Sequence, residues 1–227
     1  MLIRYLPLLA ALAPLLAVNI AYWLGVNYDH LPACFPYVDG CTSISATGRN
    51  PPGSFLFRAV HMPLSVLLVV IWYFAAAWLR SLCNDAANRW SNWIIGCGTL
   101  GAAALILYVT FLGTTEPFYE FMRRIGIYFY FLGTALAQLL VTLYFKRCCA
   151  ANARSLAQAM LWLCLLPFGL GVLNLILKAT LADADMSENR IEWLAALSMQ
   201  CWYLVLFAAW RRTGFQVVVT TDSTSAR

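Results

Sequence analysis

Arg58, His61 and Ser65 recur at spacings of three and four, so on one helix they share a face. A guanidinium, an imidazole and a hydroxyl in that register form a polar stripe. Pro51-Pro52-Gly53-Ser54 lies just upstream, where it breaks the chain and starts the helix, with Ser54 expected as the cap for orphan N–H groups. The positive end of that helix, Arg58 and a protonatable His61 together make a receptor for a phosphate or other anionic headgroup. The competing reading has Arg58 snorkelling to an interface above a His satisfied inside a bundle. Before the helix, Thr42-Ser43-Ile44-Ser45-Ala46-Thr47-Gly48 brings hydroxyls and a Gly able to take positive φ, so a compact turn can lie as a lid over the stripe. Ser43, Ser45 and Gly48 join the candidates on that ground, against the alternative that the hydroxyls cap their own backbone. His61 is the candidate acid or base if the protein is an enzyme. No G-x-S-x-G elbow accompanies any of these serines, so serine hydrolysis lacks most of its machinery.

The elements that must position these groups are membrane spans. At 62% hydrophobic and 11% charged residues, with a mean hydropathy of +0.72, the 227-residue chain has too few charges to coat a soluble globule. Apolar stretches of about 20 residues, enough to cross roughly 30 Å of hydrocarbon, occur six times. They run over Tyr5–Val26, Arg58–Leu79, Trp93–Gly113, Ile125–Phe145, Leu156–Leu177 and Ile191–Trp210, which predicts an all-α, six-helix transmembrane domain over 1–210 and a tail from 211 to 227. Pro14 would directly follow the Ala11-Leu12-Ala13 cleavage pattern, and the apolar run continues through Trp23, so the first stretch reads as a retained helix and not a signal peptide.

Lys and Arg counts orient the bundle. One side carries Arg4, Arg80, Arg89, Lys146, Arg147, Arg154, Arg211, Arg212 and Arg227, nine bases against Asp85 and Asp222. The other carries six bases, Arg49, Arg58, Arg123, Arg124, Lys178 and Arg190, among eight acids. Both termini are therefore expected in the cytoplasm and the long loop 27–57 outside it. Bases scattered singly and in pairs also argue against a nucleic-acid partner, despite the net charge of +5. Of the eight cysteines, Cys34 and Cys41 lie on the outer side, where a disulfide would pin the start of the loop. Cys148-Cys149 beside Lys146 and Arg147 reads as a pair of inert thiols or as a palmitoylation site.

Other polar groups converge on the outer ends of the spans. Glu116 and Glu120 lead into the fourth, with Arg123 and Arg124 at its entrance, and Asn174 and Lys178 stand four apart near the end of the fifth. Together they can close an amphipathic cavity, although Glu120 and Arg124 also fit a surface pair and Asn174 a helix-packing bond. Two His, no H-x-x-x-H and no C-x-x-C give no metal site and call for no cofactor.

Pro36-Tyr37, Ser43-Ile44-Ser45-Ala46-Thr47-Gly48, Pro51-Pro52, Phe57-Arg58 and His61, followed directly by a span, resemble the first-loop signature of the Frag/DRAM/Sfk family of six-span membrane proteins. Phe57-Arg58 and His61 lean toward the branch of the GPI-anchor lipid-remodelling factor. The signature covers about 30 residues, and the six-span layout is similar over the whole chain. Members often carry a His just before the fourth span, where this chain has Met122-Arg123-Arg124. The resemblance implies lipid handling, in a Golgi or endolysosomal membrane in a eukaryote; a bacterial protein would lie in the inner membrane. The leading expectation is a non-enzymatic protein that binds a phospholipid or glycolipid headgroup at the extracytoplasmic face and influences lipid distribution, remodelling or a partner membrane enzyme. The alternative is an acyltransferase or lipid hydrolase with His61 as acid or base and Glu116 or Glu120 orienting it. A transporter comes third, since no inverted repeat with paired broken helices is evident.

Overall fold

A computed structural model of the protein describes residues 3–84, 89–181 and 184–217. Asp85, Asp183, Asp222 and Arg227 of the charge count, and the tail beyond 217, lie outside the described residues. Six helices are long and apolar enough to cross a membrane, and among the described residues there is no strand. They are α1 (Leu6–Asn27), α4 (Gly53–Cys83), α5 (Arg89–Thr110), α6 (Pro117–Cys148), α7 (Arg154–Thr180) and α8 (Asp185–Arg212); α2 (Pro36–Asp39) and α3 (Ile44–Thr47) are single turns in the long loop. The chain is a polytopic, all-α membrane bundle.

Most of the helices run beyond the apolar stretches that announce them, because backbone hydrogen bonding continues past the first charged residue until something stops it. Asn84, at φ 49°, ends α4 in the left-handed region, well past Leu79. At the other end α4 starts at Gly53 with Pro52 in the capping position, so Ser54 is a buried first-turn residue whose N–H reaches Asn50 O at 2.9 Å, and not the expected cap.

Tryptophan fills the bundle. Trp72, Trp78, Trp193, Trp202 and Trp210 are all essentially inaccessible. Trp202 donates to Thr142 Oγ1 at 2.9 Å, and its ring lies 5.9 Å from that of Trp72. These contacts tie α4, α6 and α8 together around one apolar core.

The loop from α1 to α4 is not an open excursion. Cys34 is joined to Cys41 with Cα atoms 6.6 Å apart, and the Tyr22 hydroxyl donates to Cys34 O at 2.8 Å while accepting from Cys34 N. Gly40, at φ 67°, closes α2 where any Cβ would collide with Met186 O; Asn189 donates to Gly40 O and Trp193 to Thr42 O, each at 2.9 Å. The loop is thereby laid across the start of α8. A second bridge, Cys83–Cys148, joins the far ends of α4 and α6, Cα atoms 5.4 Å apart. Cys148 is therefore not the free thiol expected from its sequence context; Cys149 is.

Candidate functional site

Arg58, His61 and Ser65 do share a face of α4, but that face turns into the bundle and does not form an open stripe. Phe57 and His61 are packed ring on ring at 4.0 Å, and His61 is buried. The Arg58 guanidinium donates to Leu112 O at 2.6 Å, satisfying a carbonyl just beyond the end of α5. Ser65 returns its hydroxyl to Met62 O at 2.6 Å. Ser43 caps α3 by accepting from Ala46 N at 3.1 Å, and Gly48 is pressed between Phe57 and Leu112. Of these candidates only His61 faces a cavity.

Two cavities meet around α8. The inner one, about 60 Å³, lies among α1, α4, α5, α6 and α8, with His61, Tyr108, Tyr130, Glu192 and Gln200 as polar lining. The outer one, about 430 Å³, is a groove between α6, α7 and α8 that falls within the roughly 300–1,000 Å³ usual for ligand sites. Tyr108, Ile127, Phe131, Glu192 and Met199 line both and so form the partition between them.

Helical spacing builds the groove. On α6, Arg124, Tyr128, Leu132 and, from the neighbouring row, Ile127, Phe131 and Ala135 run inward from the loop end; on α8, Glu188, Glu192, Ala195 and Met199 do the same. Antiparallel α7 contributes Asn174, then Gly171, Phe168 and Pro167. Charged and amide groups therefore gather at the loop end, and apolar ones below. Ser45 closes the mouth: its N–H approaches Glu192 Oε1 at 3.4 Å and its hydroxyl meets that of Tyr108 at 2.9 Å.

The remaining sequence candidates divide. Arg124 and Asn174 line the groove. Lys178 pairs with Glu188 at 2.7 Å at its rim. Glu120 takes Arg124 at 2.6 Å and Arg123 at 3.3 Å on the outside, and Glu116 is an exposed residue at the N-terminus of α6; neither carboxylate lines the cavity of His61. The carboxylate that does is Glu192, which sequence reading counted only as an outer-side charge. Its signal was there: Glu188 and Glu192 stand one turn apart, the second already within the apolar run that begins at Ile191.

Polar atoms are left over at this place. Arg123 Nε and Asn174 Oδ1, both buried, have no hydrogen-bond partner among the described residues, although Arg123 reaches Glu120 through its other nitrogen. In the inner chamber the buried Nδ1 of His61 donates to Phe57 O at 2.8 Å, which puts the proton on Nδ1 and leaves Nε2 as an acceptor. Tyr37, on α2 at the chamber's rim, accepts from Asn19 Nδ2 at 3.0 Å; burial pushes its hydroxyl above the usual tyrosine range, against the smaller opposite pull of that bond. It therefore adds no charge.

Among the described residues no cluster of three or more His, Cys, Asp or Glu is placed to hold a metal ion. Comparison with protein-family models, with curated proteins and with solved structures finds no match for this chain.

Proposed function

We propose that this protein is an integral membrane lipid-handling protein that holds an amphipathic lipid in the groove between α6, α7 and α8. The observation that carries the reading is the groove's gradient: Arg123, Arg124, Asn174, Glu188 and Glu192 at one end, then Phe131, Leu132, Ala135, Phe168 and Met199 below. A headgroup needs the first and an acyl chain the second. Side entry from the bilayer follows from α7, whose most apolar window is only 11% buried against 39–50% for the other spans. The signature-like string 36–61 supports the same reading, and with it membership of the Frag/DRAM/Sfk family, the bound lipid serving lipid distribution, remodelling or a partner enzyme. Gly171→Trp tests the groove directly. A Cβ at Gly171 meets nothing within 4 Å, so the substitution fills the groove without a backbone clash. Native mass spectrometry of protein extracted with its lipids is expected to show bound lipid on the wild type and at least about a tenfold loss on the variant; equal retention by both would refute the site.

Acyl transfer or hydrolysis with His61 as acid or base is the second reading, and the free Nε2 favours it. The hydroxyls of Ser43, Ser45 and Ser65 are each bonded within the protein, and none lines the cavity of His61. His61→Gln, which keeps a hydrogen-bonding group but cannot titrate, separates the two: lipid retention survives in large part, whereas any turnover falls by about two orders of magnitude or more.

The orientation we propose keeps both termini cytoplasmic, on the charge asymmetry of the connections. A label at Asn50 is then reached only from outside and one at Asn152 only from the cytoplasm. The two bridges report independently, because the Cys83–Cys148 end faces the compartment that keeps thiols reduced. In that orientation the Cys83–Cys148 bridge of this structure is expected to open to two thiols in intact cells and to alkylate without prior reduction, whereas Cys34 and Cys41 alkylate only after it. The opposite pattern would invert the molecule.

A further inference from the structure

The inner chamber has a chemical bias that the groove lacks, in that it is lined by a carboxylate and by acceptor atoms and by no Arg or Lys. Glu192 makes no ion pair among the described residues and is held only by backbone N–H groups of the loop, Ser45 N at 3.4 Å and Ile44 N. His61 Nε2 is left with its lone pair, because Nδ1 holds the proton for Phe57 O. Gln200, 9% exposed, adds an amide whose Oε1 has no hydrogen-bond partner among the described residues. The walls between them are the faces and edges of Phe57, Tyr108, Tyr130 and Trp193. One carboxylate, two neutral acceptors and aromatic walls suit a small cation that carries N–H donors. An anion there would meet Glu192 and lone pairs, with no Arg or Lys among the lining residues; Arg49 reaches Glu192 only from outside the chamber.

The groove side is complementary. Arg123 Nε is a buried donor without a partner among the described residues, and Arg123 lines the groove beside the shared partition residues Tyr108 and Glu192. A phosphate there satisfies the guanidinium, a short positive arm passes the partition into the chamber, and chains follow the apolar groove. Volume limits the arm: about 60 Å³ is several times the roughly 10–15 Å³ that one water needs, enough for an aminoethyl group and too little for a sugar ring.

We propose that the lipid is an aminophospholipid of the phosphoethanolamine type, its primary ammonium held in the inner chamber by Glu192, His61 Nε2 and Gln200, its phosphate by Arg123. This assignment rests on the lipid-groove reading. A trimethylated ammonium brings the same charge but no N–H, so it leaves the acceptors unpaired; a glycerol head brings no cation.

The test is competition among lipids. Delipidated full-length protein in detergent is offered equimolar dioleoyl phosphatidylethanolamine, its N-methyl and N,N-dimethyl derivatives, phosphatidylcholine and phosphatidylglycerol, and bound species are counted by native mass spectrometry. Wild type is expected to prefer phosphatidylethanolamine over phosphatidylcholine and phosphatidylglycerol by about tenfold or more, the size of one charge-assisted bond, with stepwise loss along the methyl series. Glu192→Gln is expected to bring that preference to within about twofold by lowering phosphatidylethanolamine retention, with phosphatidylglycerol, which has no ammonium for Glu192 to hold, reporting that the variant is folded. Glycerophosphoethanolamine, the same head without chains, is expected to compete only in large excess; efficient competition would make the ligand a soluble amine and overturn the lipid assignment. Lipid bound with no preference for the primary amine overturns the chamber proposal and leaves the groove standing, and this arm needs no variant. Undiminished preference in Glu192→Gln also overturns it. No lipid on the wild type, or as much on Gly171→Trp as on the wild type, fails the groove and takes the amine assignment with it.

Discussion

Two seams of α6 are built on opposite principles. Toward α5, small residues bring the backbones together: a Cβ at Gly133 would lie 2.7 Å from Cys97 O and 2.8 Å from Gly101 N, and one at Gly126 would lie 2.5 Å from Tyr108 N. Toward α7, Gly171 lines the groove, and nothing approaches a Cβ there within 4 Å. The same residue type therefore closes one seam and opens the other. In a membrane, where apolar surface gains nothing by leaving lipid for protein, close packing of small residues is what holds helices together. A seam left without it stays accessible to lipid. The α5–α6 side thus reads as scaffold, and the α6–α7–α8 side as the working face.

The largest effect that could break this contrast is expected at Gly133. Leu at that position must push apart two backbones, not a flexible side chain, and overpacking of that kind costs about 3 kcal/mol or more. Thermal unfolding in detergent is the readout. A Gly133→Leu protein that melts with the wild type would mean that the α5–α6 seam is not close-packed, and the contrast with α7 would disappear.

A step below it stands the loop that roofs the working face. Replacing Cys34 and Cys41 by Ser removes a short covalent ring, a loss of about 2–3 kcal/mol in the chain-entropy account. Because Ser45 and Thr42 are carried by the same loop onto Glu192 and Trp193, the double variant is also expected to exchange bound lipid faster than the wild type. Unchanged exchange alongside lowered stability would show that the loop braces α8 without gating the groove.

How far these features could be read in the sequence differs between the two seams. The six spans follow from apolar length alone, since a membrane leaves the backbone few alternatives to helix. The common face of Arg58, His61 and Ser65 is equally a matter of period. Period does not say which neighbour covers a face, and here the covering elements are α5, α8 and the loop, so a stripe expected to receive a headgroup is consumed by Leu112 O, Phe57 O and Met62 O. Glu192 escaped notice for the converse reason. It stands where the sixth apolar run begins, where a carboxylate usually marks a membrane boundary; only the tertiary meeting of α8 with α4 and α6 makes it a partner of the cavity holding His61. Arg123 and Arg124 are adjacent in sequence, and the helix turns them by about 100° relative to each other, so that one is largely covered and the other exposed.

Arg58 sharpens the distinction between a binding cation and a structural one. Its guanidinium satisfies Leu112 O, so Arg58→Ala leaves a partly covered acceptor unpaired, a loss of about 1.5 kcal/mol, with lipid retention unchanged once folding is matched. Arg123→Ala is expected to do the reverse, lowering phospholipid retention with little change in melting. Native mass spectrometry and thermal unfolding on the same two samples decide the matter. Lipid loss in folded Arg58→Ala would return the headgroup to the α4 stripe and take it from the groove.

The smallest effect belongs to Gly171→Ala, and its sign carries the argument. Ala adds a methyl group into open space there and removes the backbone freedom of a helical Gly, so the change in stability is expected to be neutral to stabilising and below about 1 kcal/mol. Gly133→Ala makes the same chemical change on the other seam, where the added methyl meets main-chain atoms at 2.7–2.8 Å, and it is expected to destabilise. Melting the two variants beside the wild type turns the comparison of the seams into a difference in sign, which is less sensitive to detergent and to protein concentration than either magnitude. Destabilisation by both would mean that α7 closes on α6 in the membrane more tightly than in this structure, and a groove of about 430 Å³ would then not persist there.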